Sequence, residues 1–153
     1  MEVFIIKILI DADGCPVVDI SVKLAKKYNI NCIIVCDTCH LIKKEDATTI
    51  TVSKGSDSAD FKIVNMILPN DIVITGDYGL AAMCLAKNAI TVHQNGMIYS
   101  DDNIDALLLQ RHTAKKIRMA GGRTKGNSKR TKKEDDDFYK TLENILKIDN
   151  ALL

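Results

Sequence analysis

The sequence predicts an α/β fold, a three-layer sandwich around a mostly parallel central sheet. Two observations carry it. Short runs of β-branched and other apolar residues alternate along the chain with stretches whose apolar residues recur at helical spacing. The length, 153 residues with 46% apolar and 27% charged, suits one domain, 1–153, around a single core.

Val3 to Ile10 reads as a buried first strand. Pro16 suits a first helical turn, and Val17, Ile20, Leu24 and Ala25 continue a helix to Lys27. "INCIIVC" is a second strand and "TTITVS", residues 48–53, a third. An amphipathic helix spans Asp57 to Leu68, stopped by Pro69-Asn70. "DIVIT", 71–75, is a fourth strand, Leu80 to Lys87 a helix, and "AITVH", 89–93, a fifth strand. Asn95-Gly96 marks a turn, and Ser100 caps a helix over Asp101 to Lys116. Residues 119–133 have the Gly, Ser and Lys content of a basic, mobile loop. Residues 134–149 form a last helix, regular from Asp135 to Ile148, with acidic residues where the helix dipole favours them. The chain has no internal repeat.

No apolar run reaches the roughly 20 residues of a membrane span. The opening "MEVFIIKILI" has no cationic leader or cleavage site and reads as a strand, so a cytoplasmic protein with no membrane contact is expected. Five cysteines, an odd number, argue against a disulfide framework. Cys36, Cys39 and His40 in "CIIVCDTCH" have no second ligand pair, so structural thiols are expected there and not zinc. Cys15, before Pro16, sits at a helix N-terminus, where a thiolate is favoured. A covalent mechanism would need a histidine partner, and neither His40, His93 nor His112 is near it in sequence.

The net charge of +1 conceals an uneven distribution. Residues 111–133 hold ten Lys or Arg and no acid. Arg111, Lys115, Lys116 and Arg118 fall along one helix, and Arg123, Lys125, Lys129 and Arg130 in the loop beyond it. A solvated charged face is one reading. A phosphate-backbone contact, with RNA as partner, is the other and the one expected here. The stretch has no aromatics for base stacking, so binding should carry little sequence specificity. A homodimer is left open.

In parallel sheets, ligands bind at the carboxyl ends of the strands. Those ends are acidic. Asp11 and Asp13 follow strand one, Asp57 and Asp60 follow strand three, and Asp77 follows strand four. Singly, such residues cap helices or close turns. Together they crowd like charges at one sheet edge and call for a cation; oxygen-rich sites of this kind suit Mg²⁺ or Mn²⁺. Ser53 and Thr75 place hydroxyls beside them, to hold water at the metal or only to end strands, and Gly76 lets the backbone turn.

Two reactions use such carboxylates. "ILIDADG" resembles the signature of haloacid-dehalogenase-type phosphatases, with Asp11 as nucleophile and Asp13 as acid. "IVITGD" resembles their later Gly-Asp element, but the second Asp expected a few residues on is replaced by "YGLAAM". The lysine loop and cap insertion are also missing. The other reaction is phosphodiester hydrolysis by water activated on a metal, which asks of the carboxylates only that they be ligands.

"DADGCPV", "SDSADFKIV", "NDIVITGDYGLAA", "NGMIYSDDNID" and "GGRTKG" followed by "DF" closely resemble the YaiI/YqxD family of uncharacterised bacterial proteins, over nearly the full length. The resemblance implies a PIN-like (PIN/NYN-type) fold, that of metal-dependent RNA-cleaving nucleases. It implies Asp11 as the strand-one acid, Asp77 as the acid after strand four, either Asp57 or Asp60 as the mid-chain acid, and Asp13 as a family-specific addition. The chain departs at Gly126-Asn127, where relatives tend to have Gly-Pro. The expected activity is a divalent-metal-dependent ribonuclease. The alternative is a non-catalytic RNA-binding protein with a residual metal site.

Overall fold

A computed structural model describes residues 5–37, 44–55, 58–124 and 129–151. Within them the chain runs β1 (Lys7–Asp11), α1 (Val18–Lys27), β2 (Asn31–Asp37), β3 (Thr48–Val52), α2 (Ser58–Met66), β4 (Ile72–Ile74), α3 (Tyr78–Ala86), β5 (Ile90–Val92), α4 (Asp101–Met119) and α5 (Lys132–Ala151). The five strands form one parallel sheet in the order β3-β2-β1-β4-β5. This is the expected α/β architecture.

β1 lies at the centre, and its composition follows from that. Ile8, Leu9 and Ile10 are fully buried because neighbours flank both edges and helices cover both faces. The side chains alternate. Ile8 and Ile10 pack with α1 (Val18, Val22, Leu24) and α5 (Phe138, Leu142, Leu146). Leu9, with Val35 and Val73, packs with Ile63 and Ile67 of the α2 region and Leu80 and Cys84 of α3. The fourfold spacing of Phe138, Leu142 and Leu146 puts all three on one face of α5. α4 joins the outside of α3 through Ile104, beside Ala81 and Tyr99.

Helix ends follow local chemistry. Asn29 and Asn88 end α1 and α3 in the left-handed region, at φ 56° and 63°, where Asn is tolerated. Gly96 is required by contact: at φ +94°, a β-carbon there would meet the Asp137 carbonyl oxygen at 2.7 Å. The Asn95-Gly96 turn therefore rests directly on the start of α5, and Thr141 Oγ1 donates to the Gly96 carbonyl at 2.8 Å.

Several boundaries differ from the sequence reading. The first strand is seen from Lys7 and includes Asp11; residues 1–4 lie outside the described set. α3 starts at Tyr78 and not Leu80, because Asp77 caps it. α4 continues to Met119, since nothing breaks a helix before Gly121 at φ +85°. α5 starts at Lys132, where Thr131 and Glu134 exchange contacts of 3.3 and 3.4 Å. Among the described residues, no helix is long and apolar enough to cross a membrane.

Asp71 is 1% exposed, just before β4. Its carboxylate accepts from the Lys7 backbone N–H (3.1 Å) and the Leu68 N–H (2.9 Å), and pairs with the Lys7 ammonium. It joins the start of β1 to the end of the α2 segment. Asp71→Ala removes the anion while leaving its donors behind, so urea denaturation should show a loss of about 3–5 kcal/mol.

Candidate active site

After β1 the chain moves toward β2 and β3; β4 and β5 lie on the other side of β1. The crevice at the carboxyl ends of β1 and β4 is therefore the switch point of the sheet. Asp11 is the last residue of β1, and Thr75, Gly76 and Asp77 follow β4 beside it. A cleft of about 390 Å³ opens there, lined by Asp11, Asp13 and Asp77 together with Gly76, Tyr78, Gln94 and Arg111.

Thr75 organises the cleft. It is fully buried, and its hydroxyl donates to Asp11 Oδ2 at 2.8 Å while accepting from the Asp77 N–H at 3.0 Å. Its carbonyl accepts from the Tyr99 hydroxyl at 3.1 Å. Asp77 Oδ1 accepts from the Gly79 N–H (2.8 Å), the Leu80 N–H (3.2 Å) and Arg111 Nη1 (3.2 Å). Asp77 is thus a helix N-cap and a cleft residue at once. Gly79 makes room for this arrangement: a β-carbon there would stand 3.3 Å from both Arg111 Nη1 and Asp77 Oδ1. Asp13 Oδ2 accepts from the Asp37 N–H at 3.0 Å, tying the loop after β1 to the end of β2.

Burial raises the Asp11 carboxyl above its ordinary value of 3.8. The Thr75 hydrogen bond opposes this, and the charges of Asp77 and then Asp13 add to it. The cleft therefore holds an excess of negative charge that Arg111, from α4, partly offsets. Oxygen ligands of this kind fit Mg²⁺ or Mn²⁺. Among the described residues no three acidic, His or Cys side chains close round a single point.

The other expected acids fall elsewhere. Asp57 lies outside the described residues. Asp60 is in the first turn of α2 and does not line the cleft, although its charge and that of Asp11 both bear on Cys84. Ser53 is exposed after β3, two strand positions from β1 or about 10 Å. The Cys15 thiol is pushed up to about 11 by burial, which leaves no thiolate at neutral pH. Cys36 is buried; Cys39 and His40 lie outside the described residues.

The cations divide into groups. Arg111 enters the cleft. Lys115, Lys116, Arg118, Arg123 and Lys129 are exposed, and Lys125 lies outside the described residues. Arg130 is placed differently. Its Nε donates to Asp135 at 2.7 Å and its Nη2 to the Gln94 carbonyl at 2.8 Å, so it braces the cleft wall against α5.

Residues 9–148 match the family described as Uncharacterized BCR, YaiI/YqxD family. The chain belongs to the YaiI/YqxD family. It is 54% identical over 136 residues to a UPF0178 protein of Ruminiclostridium cellulolyticum, covering 89% of each chain. It is 50% identical over 140 residues to one from Exiguobacterium sibiricum, covering 92% of this chain and 96% of the other. Among solved structures, a crystal structure of a mutant of Rae1 (YacP) from Bacillus subtilis covers 95% of this chain and 99% of that one. At 13% identity and a TM-score of 0.44, that likeness is too distant to transfer residues or activity.

Two cleft residues of this YaiI/YqxD protein were not singled out from sequence, Tyr78 and Gln94. Gln94 directly follows the fifth strand and Tyr78 directly follows Asp77, and that adjacency is the signal in the sequence that could find them. Tyr78 also belongs to a cluster of three rings with His93 and Tyr99, centroids 5.9–6.3 Å apart.

The raised value of Asp11 makes stability depend on pH. Folding favours its protonated form. Stability from that proton is complete below about pH 3.8, the ordinary value, and is lost as pH rises through the folded-state value. Asp11→Asn cannot ionise. In EDTA it should melt a few degrees above the parent at pH 7, and the difference should vanish toward pH 3.8. A difference that is constant across this range would show that Asp11 carries no such strain.

Proposed function

We propose that this protein is a divalent-metal-dependent phosphodiesterase that cleaves RNA, with a PIN-like fold as the family resemblance implies. The observation that carries this reading is the meeting of Asp11, Asp13 and Asp77 in one cleft at the switch point of a parallel sheet, with the Arg111 guanidinium beside them.

Asp11 and Asp77 hold the ion, with Asp13 beside them. A bound Mg²⁺ or Mn²⁺ would supply an activated water and stabilise charge developing at phosphorus. Thr75 fixes the Asp11 rotamer, and the α3 N-terminus fixes Asp77. Each carboxylate is therefore held before substrate arrives, which is what a preorganised site requires. Arg111 is long, 57% exposed and paired with Asp77, so it can turn toward a phosphate oxygen entering the cleft. Lys115, Arg118, Arg123 and Lys129 offer backbone contacts beyond it. Tyr78 is the aromatic face at the reacting centre. The basic stretch has none, which supports binding with little sequence preference.

With labelled RNA and Mn²⁺ or Mg²⁺, full-length substrate should disappear, and EDTA should stop the loss. Asp11→Asn and Asp77→Asn should each reduce cleavage at least about 100-fold and weaken Mn²⁺ binding in calorimetry. Retention of RNA with no cleavage under any of these conditions would favour the non-catalytic binding protein. If both variants bind Mn²⁺ as the parent does, the shared site is disproved.

The basic surface is tested separately. Changing Lys115, Arg118, Arg123 and Lys129 together to Ala, with the bracing Arg130 kept, removes up to four phosphate contacts. At about 0.7 per contact on a single strand, the slope of log affinity against log salt should fall by up to roughly 3. KM should rise with kcat less affected. An unchanged slope would make this surface merely solvated.

A further inference from the structure

Most of the second half of α4 is exposed. The helix buries only Ile104, and from Leu109 to Met119 ten of its eleven residues are exposed. Yet this half is not polar throughout. Leu109 is 64% exposed, Ile117 42% and Met119 78%. Ala106, Leu109, Gln110, Thr113, Ala114 and Ile117, with Thr124 from the segment after the helix, line a shallow groove along it of about 420 Å³.

The sequence of this face has a defined pattern. Residues 106, 110, 113 and 117 alternate in steps of four and three, the spacing of a helix–helix seam. They lie opposite Ile104, so the seam faces away from the protein's own core. Beside the seam run Asp102, Leu109 and Lys116, seven apart: an acid, an apolar residue and a base along one line. This pattern is complementary to itself only when reversed. Laid antiparallel, a second α4 sets Asp102 against the partner's Lys116 and Leu109 against the partner's Leu109. Laid parallel, it sets like charges together. Antiparallel contact is also what a two-fold axis through Leu109 produces.

We infer that this face of α4 is a self-association surface, on which a second copy of the chain docks its own α4 antiparallel. The seam offers no charged group to a phosphate. Arg111 and Lys115 lie on a different side of the helix, so pairing leaves the carboxylate cleft open. A contact through one helix pair is small beside the roughly 1,000 Å² that a stable specific interface should clear. The dimer should therefore dissociate on dilution.

Sedimentation equilibrium of the full chain, from low to high micromolar, tests this apart from any nuclease activity. The mass should rise from one chain to two, and more weakly at high salt. Leu109→Glu should hold the protein monomeric across the range without a change in melting temperature, since the position is exposed. Asp102→Lys and Lys116→Glu should each raise the dimer Kd at least tenfold. An equimolar mixture of the two should recover the parent's Kd, because each chain then meets the opposite charge. A parent that stays monomeric, a dimer that survives Leu109→Glu, or a mixture that remains monomeric would each overturn the inference. If Leu109→Glu instead weakens RNA retention by a monomeric parent, the groove belongs to RNA and self-association is disproved.

Discussion

One hydroxyl holds the functional end of this molecule together. Thr75 follows the short strand β4, and its Oγ1 bridges Asp11 at the end of β1 and the backbone of Asp77 at the start of α3. Two strand ends and a helix start are fixed by one buried side chain. A carboxylate at the end of a buried strand is costly unless something there donates to it. Thr75 is that donor, and its position on the neighbouring strand is why Asp11 is tolerable. Asp71 solves the same problem at the opposite end of β1 with two backbone N–H groups and a lysine.

The strands were legible because a parallel sheet buried on both faces writes itself as continuous apolar runs, as in Ile8, Leu9 and Ile10. The acids after strands one and four were legible for a related reason: parallel strands deliver their ends to a single edge. The lateral order of strands was not. Nothing in "TTITVS" says that β3 is outermost, and that position is what takes Ser53 away from the cleft. Asp77 shows another limit. Read as either a cap or a ligand, it is a cap whose second oxygen accepts none of the donors that hold the first. Arg130 was indistinguishable from its basic neighbours, because an ion pair to Asp135 and a bond to the Gln94 carbonyl depend on how α5 returns to the sheet.

The charge asymmetry along the chain becomes an asymmetry in space, though not a simple one. Arg111 turns inward to the acids, Arg130 turns inward to α5, and the other described cations of residues 111–133 face solvent. The acidic excess of the cleft is offset from the same segment that supplies the exposed positive surface. α4 is therefore shared by three environments: it packs on α3 through Ile104, reaches the cleft through Arg111, and presents an exposed row of Ala106, Gln110, Thr113 and Ile117 on its far side.

The central place of β1 also matters during synthesis. It pairs with β2, which follows closely, and with β4, which lies more than sixty residues further along. A chain emerging from the ribosome has β1, β2 and β3 well before β4, so the middle strand of the finished sheet is for a time an edge strand. Ile8 and Ile10 wait longer still, because Phe138, Leu142 and Leu146 arrive with the last helix. Non-local closure of this kind slows folding and leaves apolar surface uncovered until late. In the cell, the fold is completed only once α5 has emerged.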